Sequence, residues 1–177
     1  PIIVLFMRIL YSSDHGPYRC TFIKQDVEAI SKIHDTLYLA FETDKDYPNK
    51  KIKSKLLSYP SYSLKSRIRW RFEIIGLCFD WYNKAISSSL EKEIHDFNPD
   101  IIHCQFAYES AKLLHNLKTD KPVVLNFRGY DASYKLNIIG YLKWLRRILE
   151  LDNVFTIFVS KSLRENLRNK GVTIKNE

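Results

Sequence analysis

The chain lacks the short motifs that mark the commonest nucleotide and hydrolase sites. Its five glycines are scattered, so neither GxGxxG nor GxxxxGK[ST] occurs, and both the dinucleotide fingerprint and the phosphate-cradling P-loop are missing. The absence of GxSxG and HExxH argues against serine-hydrolase and zinc-protease readings. Three cysteines, Cys20, Cys78 and Cys104, stand far apart without a CxxC pair. That spacing argues against a zinc site or a disulfide framework and suits a reducing, cytoplasmic setting. With only five glycines and six prolines there is no low-complexity linker, and no segment repeats another. The apolar opening PIIVLFM is broken by Arg8 and is too short to span a bilayer, so it reads as a buried strand.

What is present suits one folded domain. A length of 177 residues supports a single core and is short for two, and 45% hydrophobic with 14% aromatic content is that of a globular chain. Lys and Arg number 28 against 20 Asp and Glu, a formal charge of +8. Such an excess favours an anionic partner (a phosphate, a nucleotide, a nucleic acid or an acidic membrane surface), although basic balance is also common without one.

Apolar periodicity then lays out the elements. Residues 2–11 form an Ile/Val/Leu-rich run expected of a central parallel strand, and 12–20 form a polar loop. Apolar positions Phe22, Ile23, Val27, Ile30 and Ile33 recur at helical spacing behind Thr21, an expected N-cap. A second strand covers 36–41, and 43–63 is a charged excursion. The stretch 64–95 carries two apolar stripes and reads as a long helix that sits between layers or meets a partner. Three strand–helix units follow: strand 100–106 with helix 108–118, strand 122–127 with helix 135–151, and strand 153–160 with a helix ending near Gly171. The alternation predicts an α/β fold, a Rossmann-like parallel sheet with helices on both faces.

In such a sheet ligands bind beyond the carboxyl ends of the strands. That rule alone nominates His15 and Gly16 after the first strand and Phe106 and Glu109 after the strand that begins at Asp100. It adds Arg128, Gly129 and Asp131 after the next strand and Ser160 after the last. His103 reads as a strand histidine with structural hydrogen bonds, and Cys104 as a small buried hydrophobe.

The segments DIIHCQF at 100–106, PVVLNFRGYD at 122–131 and FVSKSLRENLRNKG at 158–171, in that order, resemble the amino-terminal domain of glycosyltransferase family 4. That family shows a D-I-I-H-x-H strand, a T-F-H-G-x-D turn and a V-S-x-x-L…L…G junction. TFIKQDVEAI at 21–30 is similar to the first helix of its exopolysaccharide and capsule branch. The resemblance implies that residues 1–177 form the acceptor-side half of a two-domain GT-B enzyme. The nucleotide-sugar-binding carboxy-terminal domain, with its Glu-x7-Glu motif, then lies outside this chain. It further implies retaining transfer from a nucleotide sugar to a glycan or lipid-linked acceptor, without metal or other cofactor, and with the isolated half inactive.

Two departures stand out: Arg128 replaces the family histidine, and Gln105 replaces a second one. Arginine keeps its proton and makes a poor base. Its planar cation either holds a phosphate or a sugar hydroxyl, or pairs with a carboxylate such as Asp131 or Glu109. Gly129 permits a tight turn or close ligand approach; Asp131 matches a family position and equally suits a helix cap, while Ser160 matches one and better suits an N-cap. The basic–aromatic segments 65–71 and 143–148 suit either docking on anionic lipid or a solvated helix face. The alternative from another class is a non-catalytic Rossmann- or flavodoxin-like module for an anionic ligand or nucleic acid, but no nucleic-acid-binding motif is found.

Overall fold

The computed structural model describes residues 5–13, 20–40, 52–56, 90–114 and 119–177, without the side chains of 109 and 111–113. Among the described residues six parallel strands form one sheet: β1 (Arg8–Ser13), β2 (Asp35–Ala40), β3 (Ser54–Leu56), β4 (Ile101–Cys104), β5 (Val123–Phe127) and β6 (Val154–Phe158). Their spatial order is β3-β2-β1-β4-β5-β6. The chain therefore travels outward from β1 to one edge, returns, and travels from β4 to the other edge. Right-handed crossovers in opposite directions must lie on opposite faces, which is why helices cover both sides.

Strand alternation sorts the side chains accordingly. On one face Ile9, Tyr11, Tyr38 and Ala40 pack beneath helix α1 (Thr21–Ile30), which buries Ile23 and Val27. On the other, Leu10, Leu37, Leu39, Ile102, Cys104, Val123, Leu125 and Phe127 form the larger core. The helical residues 90–97 (α2), α3 (Ala107–Leu114), α4 (Ile139–Ile148) and α5 (Lys161–Asn169) cover it. Cys104 is fully buried, and burial pushes its thiol up to about 12, as a small core hydrophobe requires. Phe155, Ile157 and Val159 remain 42%, 47% and 55% exposed at β6, on the sheet face that α1 covers elsewhere.

Several boundaries move from their sequence expectations. Of the first strand expected over 2–11, residues 2–4 lie outside the described residues, 5–7 are not strand, and β1 runs over Arg8–Ser13. Cys20, not Thr21, occupies the N-cap of α1, with no side-chain cap bond. The helix expected over 135–151 is present but shorter, as α4, and two 3-10 turns, Tyr130–Ala132 and Tyr134–Asn137, precede it. Gly171 does end α5, at φ +68. Its amide donates to Arg168 O and that of Val172 to Leu167 O, the paired bonds of a Schellman ending, with Val172 and Leu167 both buried. In segment 143–148 the apolar residues Trp144 and Leu145 face the core and Arg146 caps the carbonyls of Lys170 and Gly171, which accounts for its composition. Segment 65–71 and most of the long helical region lie outside the described residues.

Beyond β6, residue 176 takes the place of a further strand. Thr156 N and Oγ1 donate to the Asn176 carbonyl at 3.1 and 3.0 Å, and Asn176 Nδ2 donates to Val154 O at 3.0 Å.

Leu125, fully buried on β5, measures the sheet core. Leu125→Ala is expected to destabilise the chain by about 2–5 kcal/mol. Leu151→Ala, at a 45% exposed position, is expected to stay within about 0.5 kcal/mol. Urea midpoints at unchanged slope check both.

Candidate functional site

The strand order reverses between β1 and β4, so the crevice beyond their carboxyl ends is where this fold places a ligand. Gln105 N donates to Ser12 O at 3.0 Å, carrying the β1–β4 pairing one residue past the strand. The chain then turns through Phe106 into α3. Next to it β5 ends at Phe127 and enters a sharp turn at Gly129, whose φ of +144 and ψ of −77 are closed to residues with a Cβ.

Asp131 holds this turn. Its carboxylate, 2% exposed, accepts hydrogen bonds from the amides of Ala107, Arg128, Gly129 and Ala132 at 3.0–3.1 Å. Burial raises its carboxyl above the usual carboxylate range, and the amides pull it back. Since one of those amides begins α3 and the others belong to the β5 loop, Asp131 ties the ends of β4 and β5 together.

The turn launches Arg128 across the crevice toward α1. Its Nη2 donates to Asp26 Oδ2 at 2.8 Å and to Gln105 Oε1 at 2.9 Å. The guanidinium carbon sits 4.5 Å above the ring of Phe22, which meets Phe106 edge-on at 6.3 Å. Phe22 and Asp26 are four residues apart on α1 and so share the helix face that reaches Arg128. Arg128 Nε and Gln105 Nε2 are buried without partners, each costing about 1–3 kcal/mol.

Beneath this group lie Tyr11 and His103, paired across β1 and β4 with rings 5.1 Å apart. Burial first, and then the Asp26 charge, pushes the Tyr11 phenol up to about 12. Burial, reinforced by the Arg128 charge and opposed by Asp26, lowers His103 from 6.5 to about 4. His103 is therefore a neutral imidazole at physiological pH, and its Nε2 has no hydrogen-bond partner.

The structure thus gathers Phe106, Arg128, Gly129 and Asp131 at the adjoining ends of β4 and β5. Ser160 stands one strand away at the N-cap of α5, its Oγ 3.0 Å from Ser162 Oγ. His15 and Gly16 lie outside the described residues, and of Glu109 only the backbone, in α3, is described. Among the described side chains, which do not include that of the expected Glu109, the carboxylate that pairs with the Arg128 guanidinium is not Asp131 but Asp26. Its signal was available: the α1 periodicity that puts Ile23 and Val27 inward also leaves Phe22 and Asp26 on the flank beside the strand ends. Among the described residues no three His, Cys, Asp or Glu side chains could hold a metal ion. A groove lined by Glu91, His95, Asn98, Lys121 and Asn153 lies at the opposite, amino-terminal end of β4–β6.

Two measurements probe this geometry. Asp131→Asn replaces one acceptor oxygen with a donor facing amides, and is expected to lower stability by about 2 kcal/mol in denaturant titration. For His103 the unfolded chain binds a proton between 6.5 and about 4 that the folded chain refuses. Stability should therefore be level above this window and fall as pH is lowered through it, by roughly 3 kcal/mol in total. His103→Gln is expected to remove that component; an unchanged pH slope would count against it.

The family model described as Glycosyltransferase Family 4 matches residues 34–175. No curated protein sequence matches the chain significantly. Among solved structures, one chain of sucrose-phosphate synthase from Thermosynechococcus elongatus superposes with a TM-score of 0.59 at 13% identity, over 96% of this chain and 84% of that one. A second chain of that protein gives 0.61 at 12% identity, over 97% of this chain and 46% of its own length. UDP-GlcNAc 2-epimerase from Methanocaldococcus jannaschii gives 0.50 at 13% identity, over 96% of this chain and 43% of that one. The chain thus spans under half the length of the last two. At these identities the superpositions show the shared Rossmann-like half of a GT-B fold, and the epimerase among them shows that this half alone does not choose the reaction. The sequence match is what names the group: over 34–175, most of its length, the chain belongs to Glycosyltransferase Family 4.

Proposed function

We propose that this chain is the acceptor-side, amino-terminal half of a retaining glycosyltransferase. The enzyme would move a sugar from a nucleotide-sugar donor to a glycan or lipid-linked acceptor in surface-polysaccharide synthesis. The family match over 34–175 carries the reading. The arrangement at the strand ends supports it, since Arg128, Gln105, Asp26 and Phe22 converge where the fold receives ligands. A second strand–helix domain, outside this chain, would bind most of the nucleotide and close the cleft.

The chemistry asked of this half is modest. In retaining transfer the bond from the anomeric carbon to the leaving diphosphate breaks while the acceptor oxygen bonds on the same face. The acceptor proton passes to a leaving phosphate oxygen, so no protein base is needed. Arg128 could not serve as one, and His103 lies half-buried beneath the site with its Nε2 enclosed rather than lining it as a base. The contribution of this half is to orient the acceptor and exclude water. The same reading needs no metal and puts the reaction in the cytoplasm, at the inner membrane face when the acceptor is lipid-linked. No described helix is long and apolar enough to cross a membrane.

The test joins the chain to its carboxy-terminal half and measures transfer of radiolabelled sugar from uridine and guanosine diphosphate sugars to glycan and lipid-linked acceptors. Transfer with retention is expected, and Arg128→Ala should lower kcat/KM about 100-fold. No transfer or donor hydrolysis with any donor would sink the reading.

A further inference from the structure

A lone guanidinium at a strand-end crevice of a basic protein suggests a phosphate site. Arg128 is not alone. Asp26 Oδ2 lies 2.8 Å from its Nη2, and the two side chains are 49% and 15% exposed respectively. A ligand entering from solvent therefore meets the carboxylate at least as readily as the cation. A phosphate would sit against a fixed negative charge of its own sign. A sugar hydroxyl meets no such conflict, because it donates and accepts at once.

We propose that the Asp26–Arg128–Gln105 cluster is a subsite for an uncharged sugar ring, with Asp26 as the residue that sets the preference for hydroxyls over phosphate. Assigning that ring to the acceptor rests on the transferase reading above; the binding chemistry does not. The parts match a ring's needs. Asp26 Oδ1 makes no hydrogen bond to any described residue and is an acceptor open to a hydroxyl. Gln105, fully buried, fixes Arg128 through its Oε1, so the guanidinium is held rigidly beside that acceptor. Phe22 is 41% exposed and braced by Arg128 and the edge of Phe106, which gives the C–H face of a sugar an apolar wall.

The charge logic yields a sharp test. With 15N-labelled chain, the side-chain resonances of Arg128 and Gln105 are followed during titration with methyl glycosides of glucose, galactose, mannose and N-acetylglucosamine. Inorganic phosphate and uridine diphosphate are titrated separately. At least one neutral glycoside should shift both resonances, and phosphate should shift neither. Asp26→Asn should weaken the glycoside about tenfold and let phosphate shift Arg128, while Asp26→Glu restores the parental pattern. Silence with all four glycosides, or a phosphate response as strong in the parent as in Asp26→Asn, would overturn the proposal. The two readings fail separately. Glycoside binding without transfer in the two-domain protein would sink only the transferase reading. Transfer whose acceptor KM is untouched by Asp26→Asn would sink only the subsite.

Discussion

A single buried carboxylate sets the geometry at the working end of this domain. Asp131 is surrounded by backbone amides from two neighbouring strand ends, and its negative charge is held by their dipoles rather than by a cation. Such a clasp needs a sharp turn to bring the amides inward, which Gly129 supplies with a backbone conformation that other residues avoid. The direction of Arg128 follows from that turn. So do the short 3-10 turns over 130–137, because the chain must wrap around the carboxylate before α4 can begin. Asp131 is thus the frame on which Arg128 is mounted.

Much of the fold was legible because short runs rich in apolar residues alternate with helical periodicity. The runs ending at Phe106, Phe127 and Ser160 are short, rich in Ile, Val, Leu and Phe, and each is followed by helical spacing, which favours a parallel sheet. Gly171 was equally plain as a helix end. Less legible were features set by tertiary geometry. The start of β1 depends on where β2 and β4 lie for pairing rather than on where hydrophobicity begins. The N-cap of α1 falls on Cys20, with no side-chain cap hydrogen bond that a sequence pattern could announce. At the site, position in the sheet was enough to nominate Phe106, Arg128, Gly129 and Asp131. The partner of Arg128 was not found in that way. Asp26 is 102 residues away in sequence, and local charge patterning pointed to nearer carboxylates.

Overall charge proved a poor guide to local charge. The chain carries +8, yet its most conspicuous cation at the crevice is compensated by an acid on the facing helix. Long-range attraction of anions and short-range selection of a ligand are different tasks and need not share residues. The superposition with an epimerase makes a parallel point about shape. A sheet of this order brings strand ends together at one place, and what happens there depends on which side chains the loops deliver.

The edge of the sheet at β6 has its own consequence. An open edge strand exposes amides and carbonyls that another chain can pair with, and the apolar side chains of Phe155 and Ile157 would reward such pairing. Asn176 removes the opportunity by engaging the backbone of Val154 and Thr156 from both its carbonyl and its side-chain amide. One asparagine thereby guards a greasy border against intermolecular strand addition, without proline, a bulge or an added charge.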